Sequence, residues 1–257
     1  MNKRPLSIIA LTVLFAFALA GISCNRDKAP AKGTANVTPD QSKVLEAYAK
    51  SAEAAKKTMV GKINGVNISM NDLIREMNAI GPQYVKPGQK RDQKVDEKVR
   101  KDALDRLIYR ELVVQEAARQ GIKATPEEVG DGLKKLKAGL KSADAYRENL
   151  IKMGLTEEEL KKQIERDILI ERVTEKEIFG KVAINPEQVK KTYEKEKGSY
   201  KGPSGQMSFE EAGPLIEQKL MARAVGKRED EWVEGLKKAA KIEITLGESA
   251  KEIRRIN

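Results

Sequence analysis

Residues 59–69 read MVGKINGVNIS, and the fold turns on this stretch and its continuation to Gln120. Met59–Ile63 and Val66–Ile68 are short β-type runs joined by Asn64-Gly65, the pair that best tolerates the positive φ angles of a type I′ hairpin turn. Ser69 follows at once as a helix N-cap, with Asp72 three residues on, close to a capping box. Leu73, Ile74, Met77 and Ile80 then fall on one helical face until Gly81-Pro82 stops it. After a polar loop, Val95 to Gln120 is the longest helical pattern in the chain. Its apolar positions Val99, Ala103, Leu107, Ile108, Leu112, Val114, Ala117 and Ala118 recur at three and four residues, over a length of about 39 Å.

Further helices follow, each with a start signal. Gly121 ends the long helix, and Thr125-Pro126-Glu127-Glu128 opens the next with a cap, a proline at the first helical position and acids facing the positive end of the helix dipole. Val129, Leu133, Leu136 and Leu140 form its stripe. Ser142 starts a short helix through Tyr146 and Leu150 that stops at Met153-Gly154. Thr156 to Glu159 caps another, with Leu160, Ile164, Ile168, Val173 and Ile178 inward. Asn185-Pro186-Glu187 begins a helix through Val189 and Tyr193, and 198–206 is a Gly/Ser/Pro loop. Ser208 to Glu211 caps the last long helix, where Pro214 predicts a kink or restart. Leu215, Ile216, Leu220, Val225, Trp232, Val233, Leu236 and Ala239 are expected on its buried face. Ile242 to Leu246 alternates as a strand, expected to pair with the 59–68 hairpin because three strands are far more viable than two. The expected fold is mainly α with one small antiparallel sheet.

The N-terminus sets the compartment. Lys3 and Arg4 precede an apolar run from Leu6 to Ala20, too short for a membrane span and typical of a signal peptide. The run ends at Gly21-Ile22-Ser23-Cys24, which holds the one cysteine in 257 residues. That ending resembles a bacterial lipobox, with Gly21 as a departure from the usual aliphatic residue. The resemblance implies cleavage before Cys24 and a lipid on its sulfur. An ordinary signal peptide with an incidental cysteine, or an uncleaved anchor, are the alternatives. Asn25 in place of Asp points to the outer membrane by the sorting rule of enterobacterial lipoproteins. The expected organisation is a signal peptide over 1–23, a lipidated flexible tether over 24–40, a helical stalk over 41–58, the main domain over 59–246 and a tail over 247–257.

The formal charge is +10. Lys3 and Arg4 leave with the leader, and the 49 basic side chains become 47 against 39 acidic ones. The basic residues mostly alternate with acids, as from Glu157 to Lys176, which is the pattern of solvated helix faces. Together with an export signal, that argues against nucleic acid as a partner. With no histidine, a Ser-His-Asp triad and the usual zinc sites are ruled out. Neither a G-x-S-x-G elbow nor a phosphate-binding G-x-x-x-x-G-K-[ST] loop occurs. The carboxylates fall at cap and i,i+4 positions. There is no enzyme signal, and binding without a cofactor or metal is the expectation.

The order of these segments resembles the SurA/PrsA type of extracytoplasmic folding chaperone. The resemblance rests on Val60 to Gly65 leading into Ser69, on the Leu107-Ile108 helix ending at Gly121-Ile122, and on Met153 to Leu160. Ile184 to Tyr193, Ser208 to Glu211 and the terminal strand continue it. In that family a parvulin-type prolyl isomerase domain commonly sits between the Tyr193 and Ser208 helices. Here GSYKGPSGQ occupies that place, far too short for such a domain, and the parvulin histidines have no counterpart. The resemblance implies a periplasmic, membrane-tethered holdase for unfolded exported polypeptides, outer-membrane proteins among them, acting in a cleft between the 59–179 lobe and the C-terminal helix. Met77, Tyr84, Tyr146 and Met153, adaptable or amphipathic residues near helix ends, are the candidate client contacts. An envelope scaffold with one fixed partner, or an isomerase homologue, are the alternative functions.

Overall fold

A computed structural model describes residues 39–245 except 86, 87, 90 and 204. The leader, Cys24, the tether up to residue 38, Leu246 and the 247–257 tail lie outside the described residues. The chain is mainly helical: α1 Pro39–Lys57, α2 Met70–Ile80, α3 Gln93–Arg119, α4 Pro126–Ala138, α5 Ala143–Met153, α6 Glu157–Glu177, α7 Pro186–Glu196 and α8 Phe209–Ala239. Strands β1 Met59–Ile63, β2 Val66–Ser69 and β5 Ile242–Ile244 form one antiparallel sheet in the order β2-β1-β5, and β3 Lys201–Gly202 pairs with β4 Gly205–Gln206.

The chain divides into two compact units, with the boundary inside α6 between Leu169 and Ile170. Among the described residues, the first holds those up to Leu169 together with β5. At its centre is the 59–69 hairpin, whose turn has φ of 50° at Asn64 and 86° at Gly65, as a type I′ turn needs. Ser69 caps α2 through a complete capping box: its hydroxyl accepts from the Asp72 N–H, and the Asp72 carboxylate accepts from the Ser69 N–H. β5 closes the other side of β1. The Asn64 N–H donates to the Lys241 carbonyl (2.8 Å), and the Thr245 N–H donates to that of Val60 (3.0 Å). The expected pairing of the last strand with the hairpin is the one found.

α2 and α3 pack on each other and on β1, burying Val60, Ile63, Leu73, Met77, Val99, Ala103 and Val113. Each large side chain buried in this way contributes about 1.5–3 kcal/mol. The α3 stripe departs from expectation at Leu107, which is only half-buried, and again towards its end. Val113 is fully buried, Val114 only half, and Ala118 is exposed. The 3.6-residue repeat running through Val99, Ala103 and Ala117 carries 113, not 114, to the inner face. A second cluster gathers Leu133, Tyr146, Leu160 and Ile164 from α4, α5 and α6. α1 docks on α2 and α5 by its C-terminal half, where Ala55 is buried and Lys56 pairs with Glu159 at 2.9 Å.

Polar groups tie this unit together. Glu111 on α3, with its side chain 4% exposed, pairs with Arg166 on α6 at 2.5 Å and accepts from the Gln115 amide at 2.7 Å. Gln115 also donates to the Ile63 carbonyl and accepts from the Asn64 side chain, and the Asn64 side-chain oxygen accepts from the Lys241 N–H. One relay thus joins α6, α3, the hairpin turn and the approach to β5. Arg110–Asp167 is a second α3–α6 pair.

In the second unit, residues 170–239, α7 packs on α8. Val189, Ala212 and Ile216 form its buried cluster, with Ile184, Tyr193, Tyr200, Met207 and Leu220 around them. Of the expectations for α8, the restart at Pro214 and part of the buried face are corrected. The helix runs through Pro214 without a restart. Gly213 precedes that proline and has no Cβ to strike its ring, which is what normally forbids helix there. Leu215 and Ala239 are exposed, not inward. α7 is 11 residues long against 31 for α8, and Ala212 and Ile216 are the buried positions of α8.

Candidate client-binding surfaces

The four sequence-derived contact residues all lie in the first unit, at different depths. Met77 is buried in the α2 face. Tyr146 is buried in the α4–α6 cluster. Tyr84, in the 3₁₀ turn Gly81–Tyr84 after α2, and Met153, the last residue of α5, are half-buried.

The two tyrosines share one local arrangement. The Tyr84 hydroxyl donates to Asp102 at 2.6 Å, and the Lys98 ammonium stands 5.0 Å from its ring centre. The Tyr146 hydroxyl donates to Glu157 at 3.0 Å, and Lys137 stands 4.7 Å from that ring. Burial first, then the hydrogen-bonded carboxylate, pushes each phenol up to about 12, so both remain neutral donors at any physiological pH. Partial burial disfavours the Asp102 charge, but hydrogen bonds from Lys98 and Tyr84 outweigh it and lower its pKa. Both rings are therefore pinned, at one end by an acid and on one face by a cation.

Other apolar surface is open. Val44 and Tyr48, one turn apart on α1, are each about half exposed; they continue the stripe whose far end, at Ala55, is docked. Met59, Val66 and Ile244 are exposed on the sheet.

The second unit carries a groove of about 310 Å³ that sequence reading did not single out. Ile184, Pro186 and Val189 line it from the α7 side, and Phe209, Gly213 and Pro214 from the first turns of α8. Glu210 and Glu217 are its charged residues. Phe209 is 37% exposed yet fixed: its ring meets Tyr193 edge-on at 5.6 Å, and the Tyr193 hydroxyl donates to the Met207 carbonyl at 2.7 Å. The available signal was Gly213-Pro214 inside a helical pattern, four residues after an aromatic.

A hollow of about 450 Å³ beside the start of α4 includes Lys161 and Glu165. Among the described residues, no group of His, Cys, Asp or Glu is placed to hold a metal ion, and no helix is long and apolar enough to cross a membrane.

Comparison with known proteins fits this architecture. The chain is 27% identical over 259 aligned positions to the foldase protein PrsA of Clostridium tetani, covering 98% of this chain and 69% of that one. It is 29% identical over 89 residues to the chaperone SurA of Pseudomonas putida, covering 34% of this chain and 21% of that one. Among solved structures, one described with PEB4 and Cj1289, two structurally related SurA-like chaperones of Campylobacter jejuni, overlaps 73% of this chain and 99% of its own. That overlap has 13% identity and a TM-score of 0.46, too loose a likeness to carry an argument. The family of the SurA-like N-terminal domain matches residues 2–174, about two thirds of the chain, and it supports a general chaperone role in the periplasm. With that match and a mainly helical fold around a small antiparallel sheet, the chain belongs to the family of SurA-like N-terminal domains.

Proposed function

We propose that this protein is an ATP-independent holdase. It shields apolar segments of newly exported, unfolded polypeptides, outer-membrane proteins among them, and releases them without chemistry. The family match over residues 2–174 carries this reading. Exposed apolar side chains in both units support it: Val44, Tyr48, Phe209 and Leu215 give clients places to lie while the cores behind them stay closed. Weak, dispersed contacts suit a protein that must let go. Tyr84 and Met153 would touch clients directly, with the buried Met77 and Tyr146 holding the surface behind them.

Residues 59–246 would be the chaperone body, and residues 24–40 its tether to the outer membrane through lipidated Cys24. A lipid precursor should label the exported wild type, and label retained by Cys24→Ser would remove the anchor from the proposal. The function itself is tested with a porin diluted from denaturant. Equimolar protein should suppress its light scattering without ATP. Scattering equal to that of the porin alone would end the holdase reading.

A further inference from the structure

Glu210 and Glu217 stand seven residues apart on α8. Seven residues are two helical turns, so the carboxylates share a face and lie about 10 Å apart along the axis. Both border the α7–α8 groove, and they are its charged residues. Among the described residues neither is in an ion pair or a side-chain hydrogen bond, as is also true of Glu187 and Glu194 on α7, whereas Glu177 and Glu196 are paired with Lys181 and Lys219. Between the two carboxylates the groove presents Gly213 and the Pro214 ring, faced by Pro186 and Val189.

An unpaired acidic pair around an apolar notch is unexpected in a chain of net charge +10. The chain as a whole is basic, and the two charged residues of the groove are acidic. We infer that the α7–α8 groove binds an extended segment of another, unfolded polypeptide that carries a bulky apolar side chain flanked by lysine or arginine. The apolar side chain enters the notch against Phe209 and Pro214. The basic side chains reach Glu210 and Glu217, which are about three extended residues apart. Apolar burial supplies the attraction, and the paired charges select which apolar segments are held. This inference rests on the holdase reading and names a class of client segment for it.

The test uses the mature full-length protein and fluorescence anisotropy. Labelled peptides share one Leu/Phe core and differ in carrying Lys, Ser or Glu on both flanks. The Lys-flanked peptide should bind about tenfold more tightly than the Glu-flanked one at low salt, and the difference should shrink at high salt. The double substitution Glu210→Gln/Glu217→Gln keeps side-chain size and should weaken the Lys-flanked peptide about fivefold. It should leave the Ser-flanked peptide unchanged. Equal binding of the Lys-flanked peptide by wild type and variant overturns the inference. So does wild-type self-association in sedimentation that the variant abolishes, because the groove would then belong to a second copy. Porin scattering separates the two claims: a wild type that holds porin but shows no charge preference loses the groove and keeps the holdase. A wild type with the charge preference but no effect on porin keeps the groove and loses the holdase.

Discussion

Replacing Arg166 by methionine is expected to lower the unfolding free energy by about 2–3 kcal/mol, read as a shift in the urea midpoint at unchanged slope. Its partner Glu111 is 4% exposed at the side chain. Without the guanidinium, that carboxylate keeps, among the described residues, the Gln115 amide as its side-chain partner. Stranding a buried charge commonly costs about 3–5 kcal/mol. The lower figure applies here because Arg166 is itself 37% exposed, so water can partly replace it. Gln115 also holds the Ile63 carbonyl and Asn64, and the loss should reach the hairpin turn. The double variant Glu111→Leu/Arg166→Met should recover most of the stability, since it is the unpaired charge and not the missing bridge that costs. A single variant within about 0.5 kcal/mol of wild type would refute the role given to this pair.

Gly154→Ala should cost about as much, by a different route. Gly154 ends α5 with φ of 63°, a conformation that costs an L-residue about 1–2 kcal/mol. A Cβ there would also lie 2.5 Å from the Ala52 Cβ and 2.8 Å from the Asn71 side-chain oxygen, so α1 would have to back away. The combined cost is expected at about 2–4 kcal/mol. Gly121→Ala is the control. It has φ of 69° and nothing within 4 Å of the added carbon, so it should show the backbone part alone. Equal losses in the two variants would mean that the close approach of α1 to α5 contributes nothing.

The helix starts were legible because each is a local event. Ser69 with Asp72, Thr125 with Glu128, Thr156 with Glu159, Asn185 with Gln188 and Ser208 with Glu211 all close reciprocal caps within four residues. The Ile242–Ile244 strand was legible from its alternation and from the hairpin's need of a third strand. Other features were not, because they depend on what lies opposite. The choice between Val113 and Val114 is one step of helical phase. Leu215 looked inward on a helix pattern, but burial in α8 falls at Ala212 and Ile216. Met77 and Tyr146 read as contacts by their chemistry alone, and their burial reflects neighbours far along the chain. The α7–α8 groove escaped because its residues, taken singly, read as caps and turns: Pro186 as a helix opener, Phe209 as part of a cap, Gly213-Pro214 as a breaker.

β1 is the middle strand of its sheet, yet one of its neighbours is encoded far along the chain: Asn64 meets Lys241 across 177 positions of sequence. Synthesis delivers a polypeptide from its N-terminus onward, so the 59–69 ribbon must wait, one rim of amides and carbonyls bare, until residue 244 has emerged. Such a rim is a template for stray pairing, and so distant a partner makes for slow completion. Until β5 arrives, that rim stays open.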